Sequence, residues 1–223
     1  MTETRHAALI DYPTKAALGR PLPKNKIYAN GKTSARLKDL FVQQVEQIVW
    51  QYKLAPETIN LPARPDVPEI QVFSLRLRTP NVHHDVLRAI DAAVRYPVLF
   101  ELGCGTRVQM LACYKRPSEA ASQWVPGDYH ASPWLPADSP RASLPVALDL
   151  GSLYEQLLHR LMPLQARPGE TLAALAARIA QAQAKEREVR LATARMETEI
   201  QFNRKVALNA TLRQLRAELQ ELS

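Results

Sequence analysis

The chain has 223 residues, enough for one medium-sized domain with an extension or for two small domains, and its hydrophobic content of 46% is typical of a globular protein. It has no apolar run of about 18 residues for a transmembrane helix and no apolar core of a signal peptide at its start. Its two cysteines are too few for a disulfide framework, so we expect a cytoplasmic protein without a membrane partner.

The formal charge of +7 is concentrated at the two ends of the chain. Residues 1–40 contain eight basic and three acidic side chains, and residues 166–223 contain ten basic and seven acidic side chains. This pattern allows contact with nucleic acid but equally fits a solvated surface.

The first third of the chain predicts an irregular arm followed by a helix. Residues 1–32 are basic and contain Pro13, Pro21 and Pro23, which favours irregular structure. A helix is predicted to begin at Thr33 or Ser34 and to end before Pro56. Its apolar stripe has helical spacing and consists of Leu37, Phe41, Val45, Ile48 and Tyr52.

The middle of the chain predicts a β–α–β–β core. Residues 69–78 and the segments "YPVLFEL" and "RVQMLACYK" read as strands, and residues 82–95 read as a helix. The proline-rich segment 116–147 disfavours helix but has room for a short edge strand. Ser152 and Glu155 match a capping box that opens a further helix. The predicted fold class is therefore α+β, with a small mixed sheet and flanking helices.

The last part of the chain predicts a long helical, coiled-coil-like extension. No proline or glycine follows Gly169, and a leucine seam near the end changes register around residues 200–205. The seam consists of Leu208, Leu212, Leu215, Leu219 and Leu222. We predict a break, a bend, or two helices folded into a hairpin. An isolated helix cannot bury such a seam on itself, so the seam predicts a partner helix, from another protein or from a second copy.

These segments predict three parts. Residues 1–32 form a basic arm, residues 33–165 form an α/β globular domain, and residues 166–223 form the helical extension.

One stretch has the composition of a nucleotide loop. Glu101-Leu-Gly-Cys-Gly resembles the start of the S-adenosylmethionine loop of a class I methyltransferase. That loop requires a following helix, a second strand and an acid about 20 residues later. The alternating segment from Arg107 instead predicts a hairpin, with Gly103 and Gly105 supplying positive φ. A degenerate methyltransferase or nuclease around Glu101 remains the enzymatic alternative.

No other motif predicts a catalytic, cofactor-binding or metal site. The histidines and cysteines lack metal-ligand spacing, and no nucleophile elbow is present. No recognisable nucleic-acid-binding fold motif appears either. The residues that we predict as possible nucleic-acid contacts are Lys24, Lys26, Lys32, Arg76 and Arg78.

Six segments resemble a bacterial family of unknown function. They are "LPKNKIY", "VEQIVWQYKLAPETINLP", "EIQVFSLRLR", "VLRAIDAAVRYPVLFEL", "ACYKRP" and "QFNRKVALNATLRQLRAEL". Together they are similar to the domain-of-unknown-function family numbered four-three-nine-one, from about Leu22 to Leu219. The resemblance implies genes beside a DNA methyltransferase and a helicase or restriction subunit in phage-defence clusters. It implies a partner and supplies no catalytic residue.

We therefore expect a non-catalytic accessory subunit of an anti-phage defence or restriction-modification complex. It would bridge or regulate a DNA helicase or methyltransferase through the leucine seam, and reach DNA through that complex. The alternatives are a self-assembling DNA-binding protein, with homo-oligomers formed through the C-terminal helices, and the degenerate enzyme described above.

Overall fold

The computed structural model describes residues 8–29, 33–117 and 124–223. The chain divides into two compact units between Met162 and Pro163. We call the first unit, up to residue 162, the body, and the second, Pro163–Ser223, the helical unit. The division lies close to the boundary that the sequence predicts at residue 166.

The body is built around one large sheet. Its strands are β1 (Ile10–Asp11), β2 (Ala17–Pro21), β3 (Val45–Leu54), β4 (Ile70–Leu77), β5 (Val98–Cys104), β6 (Arg107–Pro117), β7 (Trp124–Ala131), β8 (Leu135–Pro136) and β9 (Ala142–Ser143). Its helices are α1 (Lys24–Ala29), α2 (Ala35–Gln44), α3 (Pro56–Ile59), α4 (His84–Ala93) and α5 (Leu150–His159), and a 3₁₀ turn spans Thr14–Ala16.

The sheet is mixed. Among the described residues, seven strands form it in the order β2-β3-β4-β5-β6-β7, with β8 paired to β6, and β1 pairs with β9 separately. The neighbours β4 and β5 are parallel, and the other pairs of the large sheet are antiparallel. The predicted α+β class with a mixed sheet is thereby confirmed.

The N-terminal segment belongs to the body, so the prediction of an irregular arm is wrong for residues 8–29. Strand β2 pairs with β3 at the edge of the sheet, and Leu9, Ile10 and Tyr12 are buried. Pro21 is compatible with this strand because an edge position does not require its missing N–H. Residues 1–7 and 30–32 of the predicted arm lie outside the described residues.

The helix predicted up to Tyr52 is wrong beyond Gln44, because strand β3 begins at Val45. Ser34 caps α2 as predicted, accepting a hydrogen bond from Leu37 N at 3.2 Å. The pairing of β3 with β4 shifts register between Val45 and Gln47. A bulge adds one residue, so Val45 and Ile48 both enter the same core cluster at a spacing that imitates a helix.

The predicted β–α–β–β core is confirmed as β4-α4-β5-β6. Helices α1, α2 and α4 cover one face of the sheet, and buried apolar side chains join the two layers. The main members of this cluster are Ile27, Phe41, Phe73, Leu75, Ile90, Phe100 and Leu102. Such burial is the main stabilising contribution to a fold of this kind.

Helix α5 lies against β6 and starts earlier than the sequence predicts. Asp149, rather than Ser152, is its N-cap, and its Oδ1 accepts from Ser152 N at 2.7 Å. Ser152 Oγ in turn accepts from Asp149 N at 3.2 Å, which completes the capping box.

The helical unit is a hairpin of two helices, α6 (Leu172–Thr198) and α7 (Phe202–Leu222). Lys185 Nζ lies 2.8 Å from Glu218 Oε2, and Arg178 Nη1 donates to Leu222 O at 2.7 Å. These contacts join the first half of α6, up to its middle at Lys185, to the end of α7, so the helices are antiparallel. The hairpin is one of the three forms that the sequence left open.

Candidate functional site

A buried ion pair lies between α4 and β6. Lys115 Nζ is 3.4 Å from Asp91 Oδ1, and their side chains are 1% and 0% exposed. The same ammonium donates to Asp91 O at 2.7 Å and to Tyr96 O at 3.1 Å, and it also reaches Val94 O. Lys115 therefore satisfies carbonyl groups at the C-terminal end of α4, where a cation is favourable.

Further polar groups complete this cluster. The Tyr129 hydroxyl donates to Asp91 Oδ2, and Cys113 Sγ lies 3.6 Å from the same oxygen. The Tyr154 hydroxyl accepts from Lys115 N at 3.0 Å and donates to Cys113 O at 2.7 Å. These backbone groups lie where the pairing of β6 with β7 shifts register. Tyr154 thus satisfies backbone groups at the irregularity of the strand.

Burial controls the electrostatics of this cluster. It raises the pKa of Asp91 and of the Cys113 thiol, and it lowers the pKa of Lys115. The buried thiol is therefore protonated at neutral pH and a poor nucleophile. We interpret the cluster as the element that fixes α4 to the sheet.

Glu101 forms an ion pair on the other face of the sheet. Its two carboxylate oxygens accept from Arg141 Nη1 and Nη2 at 2.9 and 2.7 Å. Arg141 Nη1 also donates to Ile10 O at 3.1 Å, so this pair ties β5 to the N-terminal segment. The nearby hydroxyl of Tyr12 is buried without a hydrogen-bond partner in the described part of the chain, and burial raises its pKa.

The Gly-Cys-Gly stretch is a hairpin turn, as the alternating sequence predicts. Cys104 pairs with Arg107, which leaves Gly105 and Thr106 as a two-residue loop. Gly105 has φ +57°, as the first central position of a type II′ turn requires. The prediction of positive φ at Gly103 is wrong: this residue lies inside β5, paired with Val108.

Replacing Gly105 with alanine is expected to lower the free energy of unfolding by about 1–2 kcal/mol, because an L-residue is strained at positive φ. Gly103→Ala is the matched control, since a Cβ there has ordinary space, 4.0 Å from Leu75 O. Its expected effect is less than about 0.5 kcal/mol. Urea denaturation followed by tryptophan fluorescence measures both. Equal losses for the two variants would contradict this description of the turn.

The described residues among the predicted nucleic-acid contacts lie around the end of α2, on α1 and on β4 and its C-terminal end. Lys24 Nζ donates to Phe41 O at 2.9 Å and also reaches Val45 O, so it caps the end of α2. Arg76 is exposed, with Nη1 3.8 Å from Glu46 Oε1, and Arg78 is exposed nearby. Lys26 is exposed on α1. Lys32 lies outside the described residues.

The leucine seam lies along α6. Leu212 is 1% exposed, and Leu208, Leu215, Leu219 and Leu222 are half-buried. Leu208 and Leu222 line grooves together with residues of α6. The helix that the seam requires is therefore available within the chain, and a protein partner at these leucines remains a prediction.

An arginine clasp closes the open end of the hairpin. Arg178 Nε and Nη2 donate to the two carboxylate oxygens of Glu170 at 2.8 and 2.9 Å. The same side chain also donates to Leu222 O and to Gln165 O, each at 2.7 Å. Arg167 Nη2 donates to Glu221 O. The two arginines thus satisfy carbonyl groups in the last turn of α7.

Because of the Arg178–Glu170 contacts, we expect the helical unit to lose stability at acidic pH. Hydrogen bonds from Arg178 and from Arg167 N lower the pKa of Glu170 from 4.5 to about 2. A carboxylate whose pKa is lowered on folding stabilises the folded state above its unfolded pKa, and that contribution is lost as the pH falls from about 4.5 towards 2. Thermal melts by circular dichroism should show this loss. Glu170→Gln should reduce the pH dependence over this range, whereas Glu197→Gln, at an exposed position of α6, should leave it unchanged.

The hairpin exposes apolar side chains at its closed end, which we call the tip (residues 195–211). Ile200 is 95% exposed, Phe202 78% and Val206 54%. Phe202 and Val206 are four residues apart on α7 and therefore share a face. The sequence predicts a break, a bend or a hairpin at this stretch but not its exposed surface, although the apolar side chains outside the seam are a signal for it.

The groove beside these residues is also at the tip. It has a volume of about 670 Å³ and lies between the end of α6 and the start of α7. Residues that line it include Arg195, Ile200, Arg204, Ala207 and Leu208. The groove thus combines arginines with an apolar surface.

The described residues contain neither a metal-binding cluster nor a membrane-spanning helix. Within residues 8–29, 33–117 and 124–223, no three His, Cys, Asp or Glu side chains are grouped so as to hold a metal ion. The same ranges contain no helix with the length and apolar character needed to cross a membrane.

The chain is thus an α+β body carrying a two-helix hairpin. It belongs to the family described as "Domain of unknown function (DUF4391)", whose model matches residues 10–219. No curated protein and no solved structure matches the chain. The family assignment suggested by the sequence segments is confirmed over nearly the whole chain.

Proposed function

We propose that this protein is a cytoplasmic, non-catalytic accessory subunit of a bacterial anti-phage defence or restriction-modification complex. It contacts a DNA helicase or a DNA methyltransferase through the tip of its helical unit. It reaches DNA through that complex. The support comes from the exposed apolar tip of the hairpin, together with the gene neighbourhood that the sequence resemblance implies.

The single observation that carries the proposal is the contrast between seam and tip. The seam leucines lie along α6, but Ile200, Phe202 and Val206 remain exposed. Burial of one such side chain contributes about 1.5–3 kcal/mol, so covering these three is a substantial driving force for association. Exposed apolar clusters of this kind mark interaction surfaces.

The body supports this proposal through the roles of its polar clusters. Lys115 and Asp91 are buried and hold α4, while Glu101 is paired with Arg141. The turn after Glu101 leads into a strand instead of a helix. These contacts give the distinctive polar groups structural roles and favour an interaction protein over an enzyme around Glu101.

Co-expression of the full chain with the helicase and the methyltransferase encoded beside it tests the proposal. Size-exclusion chromatography should show a complex with one of the two. The efficiency of phage plating is measured on cells that carry the whole gene cluster. When Phe202 is replaced by aspartate, it should rise to the value found for cells in which the gene for this protein is deleted. Aspartate is acceptable at this first position of α7 because an acidic side chain there favours the helix.

Val42→Asp is the matched control, since Val42 is 63% exposed on α2 of the body. This variant should retain both the complex and phage resistance. Elution of the wild-type chain apart from both subunits would contradict the proposal. Self-association together with salt-dependent binding of duplex DNA by the chain alone would instead support a self-assembling DNA-binding protein.

A further inference from the structure

We propose that the groove at the tip binds an acidic amphipathic helix of the partner subunit. This inference deepens the proposed function, because it names the chemistry of the partner at that same site. It depends on the shape, charge and exposure of the tip.

The charge of the hairpin is divided along its length. Residues 189–216, which contain the tip, include six basic and two acidic side chains and therefore carry a net charge of +4. The rest of the helical unit includes four basic and five acidic side chains. The positive charge is thus concentrated in the part of the hairpin that includes the tip; the tip itself contains three basic and two acidic side chains.

The lining of the groove specifies a mixed apolar and acidic ligand. Arg195 and Arg204 line it from the two helices, and Ile200, Ala207 and Leu208 supply apolar contacts. Arginine binds carboxylates through two parallel hydrogen bonds, which adds geometric specificity. An amphipathic helix presents apolar residues at helical spacing with acidic residues beside them, so it matches both features.

Two other occupants fit less well. A second copy of this chain would bring another segment 189–216, of net charge +4, against the first, and like charges oppose such contact. Nucleic acid would satisfy the arginines but would leave Ile200 and Leu208 without apolar partners, and Glu199 also lines the groove. The acidic helix is the occupant that uses both the charge and the apolar lining.

Two synthetic peptides test this chemistry without the native partner. Both carry leucine at helical spacing, with glutamate at the other positions in one peptide and lysine in the second. The full chain should bind the glutamate peptide at least about tenfold more tightly than the lysine peptide in calorimetry. High salt should weaken the glutamate complex.

Variants of the full chain assign this binding to the groove. The double variant Arg195→Glu, Arg204→Glu and the single variant Ile200→Asp should each weaken binding of the glutamate peptide by about tenfold or more. Ile200 is 95% exposed, so its replacement should preserve the helical circular-dichroism signal. Arg36→Glu and Val42→Asp, at exposed positions of α2, should leave binding unchanged.

Several results would overturn the inference. These are equal binding of the two peptides, or binding that persists in the groove variants. A chain dimer that dissociates in Ile200→Asp would assign the groove to a second copy. Duplex DNA binding lost in the arginine variant but kept in Ile200→Asp would assign it to nucleic acid. If a complex with the helicase or the methyltransferase survives the groove variants, the inference is overturned but the proposed function stands. If no such complex forms but the two peptides bind as expected, the proposed function is overturned and the preference of the groove for an acidic helix stands.

Discussion

Replacing Lys115 with methionine is expected to lower the free energy of unfolding of the body by about 3–5 kcal/mol, the effect of breaking a buried ion pair from one side. The side chains of Lys115 and Asp91 are 1% and 0% exposed. The substitution removes the donor to three carbonyl groups at the end of α4 and leaves the Asp91 carboxylate without its cation.

Tryptophan fluorescence during urea denaturation is the appropriate measurement, because Trp50, Trp124 and Trp134 all belong to the body. Arg116→Met makes a similar change at the next, exposed position of β6 and should alter stability by less than about 0.5 kcal/mol. Adding Asp91→Asn to Lys115→Met should cost less than the sum of the single changes, because the unpaired charge is removed. A loss of less than about 1 kcal/mol for Lys115→Met would show that the pair does not hold α4.

Replacing Leu212 with aspartate is expected to unfold the helical unit and to leave the body folded. Leu212 is 1% exposed, and truncation of a buried leucine alone removes about 2–5 kcal/mol. Burial of an unpaired carboxylate adds a further penalty. A unit as small as residues 163–223 has little stability to lose.

Two probes separate the units in this experiment. Helices α6 and α7 hold more than half of the described helical residues, so far-ultraviolet circular dichroism should fall strongly. Tryptophan fluorescence should still report a folded body. Ala210→Asp places the same side chain at an exposed position of α7 and should cost only about 0.7 kcal/mol of helix propensity. An unchanged circular-dichroism spectrum in Leu212→Asp would contradict the packing of the seam.

Periodicity predicted correctly those elements whose apolar residues keep one spacing, helical or strand-like, along their whole length. The strand at 69–78 and the helix at 82–95 match β4 and α4 within a few residues. The failure at Val45–Tyr52 has a physical cause, since a bulge produces three-residue spacing in a strand. This segment also contained a signal for strand, because it is rich in β-branched and aromatic residues. They are Val45, Ile48, Val49 and Trp50, and the helical spacing of the apolar residues was given more weight than this composition.

Contacts between residues far apart in the chain could not be predicted from the periodicity of single segments. The Lys115–Asp91 pair joins residues 24 positions apart, and Arg178 meets Leu222 across 44 positions. A signal for the first pair existed, because Asp91 follows Leu87 by one helical turn and Lys115 follows Leu111 and Cys113 at strand spacing. Buried charges at such positions imply a partner.

The leucine seam shows what periodicity leaves undetermined. It correctly predicted that an apolar face needs another helix, but it cannot distinguish a helix of the same chain from a helix of a different chain. Lys185–Glu218 and the Arg178 clasp connect α7 to α6 within the chain. Among the exposed apolar residues of the hairpin, which also include Leu191, we expect Ile200, Phe202 and Val206 to form the contact surface.

Photo-crosslinking from the tip, in cells that also express the proposed helicase and methyltransferase partners, tests this proposed contact surface most directly. A photoreactive phenylalanine analogue replaces Phe202 in one strain and Val42, an exposed residue of the body, in another. We predict a covalent adduct with the helicase or the methyltransferase from position 202 and none from position 42. An adduct from position 42 alone, or from position 202 to a second copy of this chain, would contradict the account.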